Sequence, residues 1–513
     1  MAIQIIMLVV FFAVMITVGF ICHKKSTDVS GFVLGSRSVG PWLTAFAYGT
    51  SYFSAVIFVG YAGQFGWKFG IASTWIGLGN AFIGSLLAWV LLGRRTRVMT
   101  QHLSAATMPQ FFEKRFDSRG LKLASSLIIF VFLIPYTASL YNGLSRLFGM
   151  AFHVDYTICI IVMAVFTAIY VIAGGYMATA INDFLQGIIM LIGIVAIIAA
   201  VLSLNGGFTG SLDALARVSD ESVSTTPGVF ASFFGPDPVS LGSVILLTSL
   251  GTWGLPQMVQ KFYAIKSEES IHTGTIVSTI FAVLVAGGCY FLGGFGRLFN
   301  VDVATEGFDA VIPAMLSNLS PALIGITLVL VLSASMSTLS SLVLTSSSTL
   351  TLDFIAPTFT KKKNDKRDLL VIRIFVAVFI ILSAVIAVIQ YKLNVTFIAQ
   401  LMGLSWGALA GSFLAPFLLS LYWKRVTKPA VAVSFICGSG IMVANMFFKD
   451  VFPAFLQSPI NCGAFAMLLG LVVVPIVSVL TKKPDDAFVS NVFSCYEKTV
   501  TVPVTESLRK GGD

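Results

Sequence analysis

The chain has 513 residues, 57% of them hydrophobic and only 11% charged, which excludes a string of soluble domains of ordinary composition. The net charge of +9 would suit nucleic acid, but the basic residues lie in short connectors between apolar runs, so no nucleic-acid partner is expected. Each run of about 20 apolar residues is long enough to cross a hydrocarbon core of about 30 Å.

Backbone groups inside lipid are satisfied only in helices or in a closed barrel, and the runs lack the alternation of barrel strands. The sequence therefore predicts an all-α membrane protein. In chain order, about 13 spans are expected, at 2–22, 41–62, 72–93, 123–148, 155–173, 182–204, 239–259, 274–295, 319–348, 369–390, 396–421, 429–447 and 461–480. Span 1 has no basic stretch before it and no small-residue cleavage site, so it reads as a retained helix. With its connector it forms a unit at 1–40. Spans 2–6 form a second unit (41–204), a Gly/Ser/Asp-rich outer loop occupies 205–238, and spans 7–11 form a third unit (239–421). Two peripheral helices (422–483) and a short polar tail (484–513) complete the chain.

An odd number of spans puts the termini on opposite sides. Of the 32 Lys and Arg residues, 25 fall in one set of connectors, including Lys261 and Lys266, and six in the other. Positive charge accumulates in the cytoplasm, so the N-terminus is expected outside and the C-terminus inside, in a plasma membrane of bacterial inner-membrane type. The six cysteines show no ligand spacing and read as small apolar residues.

Two spans are visibly interrupted. Span 2 carries Gly49, Thr50, Ser51, Tyr52 and Ser54 at mid-depth, and span 7 carries Gly251, Gly254 and Pro256 in close succession. Glycine permits unwinding and proline lacks a helical N–H. Each interrupted span opens a group of five, and an odd repeat inverts the second copy. Matching breaks in two inverted halves point to a transporter's central site. Span 9 adds the polar run Ala334, Ser335, Met336, Ser337, Thr338, Ser340 and Ser341, whose Ser and Thr hydroxyls suit either helix packing or a hard cation. Asp183 stands at the start of span 6, either as a functional carboxylate or, with Asn182, as a helix cap.

Catalytic constellations are missing: the four histidines fall near span ends, and no glycine-rich loop ends in Gly-Lys-Ser/Thr. Neither an enzyme nor an ATP-driven pump is expected, and no obligate protein partner is evident.

Three segments carry a resemblance. LGSRSVGPWLTAFAYGTS (34–51), GGYMATAINDFLQGIIMLIG (174–193) and SASMSTLSS (333–341) together resemble the sodium:solute symporter family. The resemblance implies a LeuT-type fold with a 5+5 inverted-repeat core at spans 2–11. It implies one sodium ion held by carbonyl oxygens of Thr50, Phe53 and Ala334 and hydroxyls of Ser337 and Thr338, with Asp183 linked to sodium coupling. GGYMATAIND and TWGLPQMVQKFYAIKS look most like the branch of proline and pantothenate carriers. Proline carriers, however, have an Asp where this chain has Tyr52, and aromatic residues in place of Thr248 and Thr252. The solute site is expected to use Ser51, Tyr52, Ser54, Tyr136, Thr248, Thr252, Trp253 and Gln257. Few of these are charged, which suits an amino acid, a monocarboxylate or a related small acid. The expected function is sodium-coupled symport by alternating access. The alternatives are a solute sensor on the same fold and a proton-coupled or uncoupled carrier.

Overall fold

The computed structural model describes residues 2–22, 28–152, 154–359, 365–393 and 398–497. The connector charges Lys24, Lys25, Lys361, Lys362 and Lys363, and the tail beyond 497, lie outside the described residues. Among the described residues the secondary structure is helical, with two isolated β-bridges. Ten helices are long and apolar enough to cross a membrane, or eleven when the bent pair Pro238–Gly254 and Pro256–Ala264 counts as one span, against the 13 expected.

The difference has two sources. The second half of span 2 and all of span 3 run on as one helical stretch, Val56–His102, although Gly70 turns the chain there at φ 62 and ψ −142. Spans 5 and 6 likewise join as Tyr156–Ser203, kinked at Gly175, where φ is 58 and ψ is −156. The kink at Gly175 comes seven residues before residue 182, the expected start of span 6. Asp183 then lies roughly 12 Å into the continuing helix, at 1.5 Å per residue. This corrects the capping alternative, because neither Asn182 nor Asp183 is at a helix start.

Span 1, Ala2–Cys22, lies against Tyr156–Ser203 and against span 9, Pro321–Thr349. It presents Ile3, Ile6, Val9 and Phe20 outward, as a lipid-facing helix does. Span 9 is the opposite case. Every residue from Thr327 to Leu350 is buried, including its row of Ser and Thr side chains. That helix sits at the middle of the bundle, packed on Tyr156–Ser203, on span 4 (Arg119–Phe152) and on the first half of span 2. The loop after span 6 is ordered by helix Gly207–Ala216 and by Arg297. The Arg297 guanidinium lies 3.8 Å from the Phe230 ring centroid and donates to Asp220 at 3.0 Å.

Candidate functional site

The break in span 2 comes later than expected. The helix Pro41–Tyr52 runs straight through Gly49 and ends at Phe53, which is extended (φ −97, ψ 127). Gly49 is therefore a packing position: a Cβ there would sit 2.5 Å from the Phe281 ring. Beyond Ser54 the span resumes as Val56–Tyr61 and Ala62–Phe69. In span 7 the break is at Leu255 (φ −80, ψ 122), after which Pro256 occupies the first turn of the second half, and the two halves bend by 46°. Gly254 ends the first half. Gly251 is again helical and packs against Trp406, which a Cβ would meet at 2.6 Å.

A helix end leaves its last four carbonyls without helical partners. At the break of span 2 the carbonyls of Thr50, Ser51 and Phe53 face span 9. The Thr338 hydroxyl lies 3.3 Å from the Thr50 carbonyl oxygen, 3.4 Å from that of Ser51, 3.3 Å from that of Phe53 and 3.1 Å from that of Ala334. A hydroxyl has one proton and can satisfy only one of these acceptors at a time. The remaining lone pairs converge on one buried spot. Ser337 adds its hydroxyl close by, donating to Thr50 Oγ1 at 2.7 Å. Thr50, Ser337 and Thr338 are at most 1% exposed. The arrangement suits a small hard cation, which takes oxygen ligands.

Ser335 is a participant that sequence reasoning left unassigned. Its hydroxyl accepts the Ala55 N–H at 3.1 Å, pinning the resumed half of span 2 to span 9. Ser51 and Ser341 share a hydrogen bond of 2.9 Å across the same seam.

The expected solute residues divide into two sets. Thr248, Thr252 and Trp253 turn toward span 3, where the π-helical stretch Asn80–Leu87 presents its polar groups. Thr248 donates to Asn80 Oδ1 at 2.8 Å, Thr252 to the Gly84 carbonyl at 2.9 Å and the Trp253 indole to the Ile83 carbonyl at 3.0 Å. These three hold spans 3 and 7 together, and their polar atoms already have partners. Tyr52 also gives its hydroxyl proton away, to the Thr248 carbonyl at 2.8 Å.

The other set is different. Tyr52 stacks on Trp406 at 6.0 Å between centroids, and Trp406 meets Tyr136 edge-on at 5.9 Å. The Ser54 hydroxyl and the Trp406 indole nitrogen both lie beside the Tyr136 hydroxyl, and both amide atoms of Gln257 are buried without a hydrogen-bond partner. These polar groups are gathered at the two helix breaks. Trp406, on span 11 (Ile398–Tyr422), is a residue that sequence reasoning missed. Its only signal is a large indole between Ser405 and Gly407, and that cannot be assigned without knowing that Gly251 opens onto it.

Asp183 is fully buried and lies 3.7 Å from the Lys261 ammonium. Lys261 is not the connector charge that the sequence suggested, because its side chain is 2% exposed within Pro256–Ala264.

A family model for the sodium:solute symporter family matches residues 32–438. The chain belongs to the sodium:solute symporter family. It is accordingly an integral membrane transporter, not an enzyme. An osmoregulated proline transporter of Bacillus subtilis is 30% identical to it, over 95% of this chain and 97% of that one. A sodium/proline symporter of Staphylococcus aureus is 31% identical, over 94% of each chain. Among solved structures, a Na+-coupled sialic acid symporter in a substrate-bound, outward-open state aligns with a TM-score of 0.74 at 16% identity, covering 94% of this chain and 98% of that one. That likeness shows the fold alone, a LeuT-type helical bundle.

Proposed function

We propose that this symporter couples one sodium ion, held by Thr50, Phe53, Ala334, Ser337 and Thr338, to uptake of a small organic solute by alternating access. The observation that carries the reading is the convergence of four carbonyl oxygens on a single hydroxyl proton at Thr338. The solute binds beside it, between the Tyr52–Trp406–Tyr136 aromatic group and the polar atoms of Ser54 and Gln257. Ser51 contributes through its bond to Ser341. All of these groups are neutral, so a solute carboxylate is stabilised by the sodium ion and by the N-terminus of Pro256–Ala264. An amino acid, a monocarboxylate or a related small acid fits. The relatives' names make proline the first solute to test. Tyr52, whose hydroxyl is already engaged, offers no carboxylate to a solute amine.

The spans number thirteen in this reading. Val56–His102 would reach about 70 Å as one straight helix, more than twice the hydrocarbon thickness, so the turn at Gly70 separates two crossings. Gly175 divides Tyr156–Ser203 for the same reason. Spans 2–6 and 7–11 form the two inverted halves. The N-terminus is outside and the C-terminus cytoplasmic, in a bacterial inner membrane.

The test is accumulation of radiolabelled proline, and of a panel of other amino acids and monocarboxylates, in proteoliposomes with an imposed sodium gradient. Concentrative uptake that collapses without the gradient is expected. Binding without accumulation would assign the protein to sensing, and uptake that ignored sodium but followed pH would assign it to proton coupling. For the solute site, Trp406→Phe keeps a ring but removes the indole N–H. It should raise the half-saturating solute concentration about tenfold, one lost hydrogen bond of roughly 1.4 kcal/mol, and leave half-activation by sodium nearly unchanged.

A further inference from the structure

Three spans meet at one edge of the bundle and leave a basic hollow between them. Span 13 (Pro459–Leu480) ends there, span 12 (Lys428–Phe447) begins there, and helix Met108–Phe116 leads into span 4 there. This is the side on which most connector charges gather. The hollow has a volume of about 400 Å³, and its charged lining is Arg115, Lys428, Lys482 and Lys483 against Asp117 and Asp485. Four cations and two carboxylates leave that lining net positive. Asp485 is already engaged as a helix cap, accepting the Phe488 N–H at 2.9 Å.

Arg115 is the decisive group. It is 1% exposed. Its Nε and Nη2 atoms donate to the Ser420 and Trp423 carbonyls at 3.3 and 3.4 Å, and the Phe116 and Phe493 rings each lie 5.0 Å from its guanidinium carbon. All four partners are neutral, so none of them cancels its charge, and Nη1 has no hydrogen-bond partner among the described residues. A buried guanidinium with an idle donor at a cavity wall suits an oxyanion, and phosphate matches its planar fork.

A second hollow indicates the source of that phosphate. Lys428 and Pro429 also line an adjoining groove of about 420 Å³ between spans 4 and 12, with Leu121, Ile128, Ala432 and Ile436 among its walls. Ile436 is 69% exposed, as a lipid-facing side chain is. From Pro429 to Ser439 the groove follows span 12 for about 15 Å at 1.5 Å per residue. That is half of a hydrocarbon core of about 30 Å, the depth of one leaflet. A free phosphate would fill the basic hollow and leave the groove to the bilayer at large, whereas a phospholipid fits both.

We propose that Arg115, Lys428, Lys482 and Lys483 bind the phosphate of an anionic glycerophospholipid, one acyl chain of which lies in the groove between spans 4 and 12. A single lipid then ties together the ends of spans 4, 12 and 13. Basic side chains at a membrane surface attract anionic headgroups, and here a buried arginine and a fitted groove add selectivity.

The probe is phosphatidylglycerol, titrated against purified full-length protein in neutral detergent and compared with phosphatidylcholine of the same acyl chains, with bound lipid counted by native mass spectrometry. One phosphatidylglycerol should bind roughly tenfold or more tightly than phosphatidylcholine, and Lys428→Ala combined with Lys482→Ala should remove that preference. Ile436→Trp, which fills the groove, should weaken binding of both lipids at this site. Lys392→Ala combined with Lys449→Ala deletes the same charge on the other side and should bind as the wild type does. All five positions are exposed, and the melting temperature in lipid-free detergent checks folding. Lys428→Gln with Lys482→Gln replaces the alanine pair if that pair fails to fold. A preference that survives at Lys428 and Lys482 overturns the proposal, and so does an equal loss at Lys392 and Lys449, the mark of general charge attraction. An Ile436→Trp protein that holds phosphatidylglycerol like the wild type overturns it as well. Inorganic phosphate and glycerol phosphate form the last arm: displacement of phosphatidylglycerol by either at equal concentration would make the hollow a site for soluble anions and overturn the lipid assignment.

Discussion

Thr338→Ala is expected to raise the sodium concentration for half-maximal uptake at least tenfold, a loss of roughly 1.4 kcal/mol or more of ion binding. The side chain contributes the one hydroxyl around which the carbonyls of Thr50, Phe53 and Ala334 are gathered. Deleting it removes an oxygen ligand and loosens the seam between spans 2 and 9. Folding should suffer less, because the carbonyls it leaves behind are already under-satisfied; about 1 kcal/mol is the usual net worth of one such hydrogen bond. Thr338→Ser supplies the control. It keeps the hydroxyl and loses only a methyl group, so sodium activation should stay close to wild type while stability falls slightly. Uptake assays over a sodium series check both variants, and an alanine variant with unchanged half-activation would sink the site assignment.

The second large effect concerns the fold. Gly66, on the second half of span 2, touches the backbone of span 8: a Cβ there would lie 2.0 Å from the Gly293 carbonyl oxygen. The contact is reciprocal, since a Cβ on Gly293 would meet the Ala62 carbonyl at 2.2 Å. Small residues allow membrane helices to approach this closely. Overpacking against a movable side chain costs about 1–3 kcal/mol, but here the obstacle is backbone on both sides. Gly66→Ala should therefore cost about 3 kcal/mol or more, a large share of the stability of a typical domain. The readout is the yield and melting temperature of monodisperse protein in detergent. Gly440→Ala, where nothing lies within 4 Å of the added carbon, should be indistinguishable from wild type. If both glycine variants behave alike, the close approach of spans 2 and 8 is not what the Gly66 position needs.

The helical membrane class was legible in the sequence because lipid leaves few options. Every crossing must be apolar for about 20 residues and must satisfy its own backbone, and both requirements are local. The same locality made Pro256 readable as the break in span 7, since a missing N–H is a property of one residue. It also brought the proposed sodium ligands within reach, because the family pattern at Thr50, Phe53, Ala334, Ser337 and Thr338 is carried by two short segments. The break in span 2 was misplaced at Gly49 because a glycine permits unwinding without requiring it. Here the helix ends four residues later, where Ser335 on span 9 takes the Ala55 N–H. That partner is 280 residues away, beyond any local signal.

The remaining differences have the same cause. Thr248, Thr252 and Trp253 carry polar groups that could face a solute, and only the packing of span 3 turned them toward the Asn80–Leu87 carbonyls and amide. Trp406 stands beside Tyr52 and Tyr136 because Gly251 leaves room for it. Lys261 looked like one more cytoplasmic charge, and only the fold brought it against Asp183 from another helix. The sequence by itself determined what each residue could do: cross lipid, break a helix, offer an oxygen or carry a charge. The tertiary structure decided which of those capacities face one another, because a hydrogen bond or an ion pair exists only between groups a few ångströms apart, and the chain distance between them does not predict that separation.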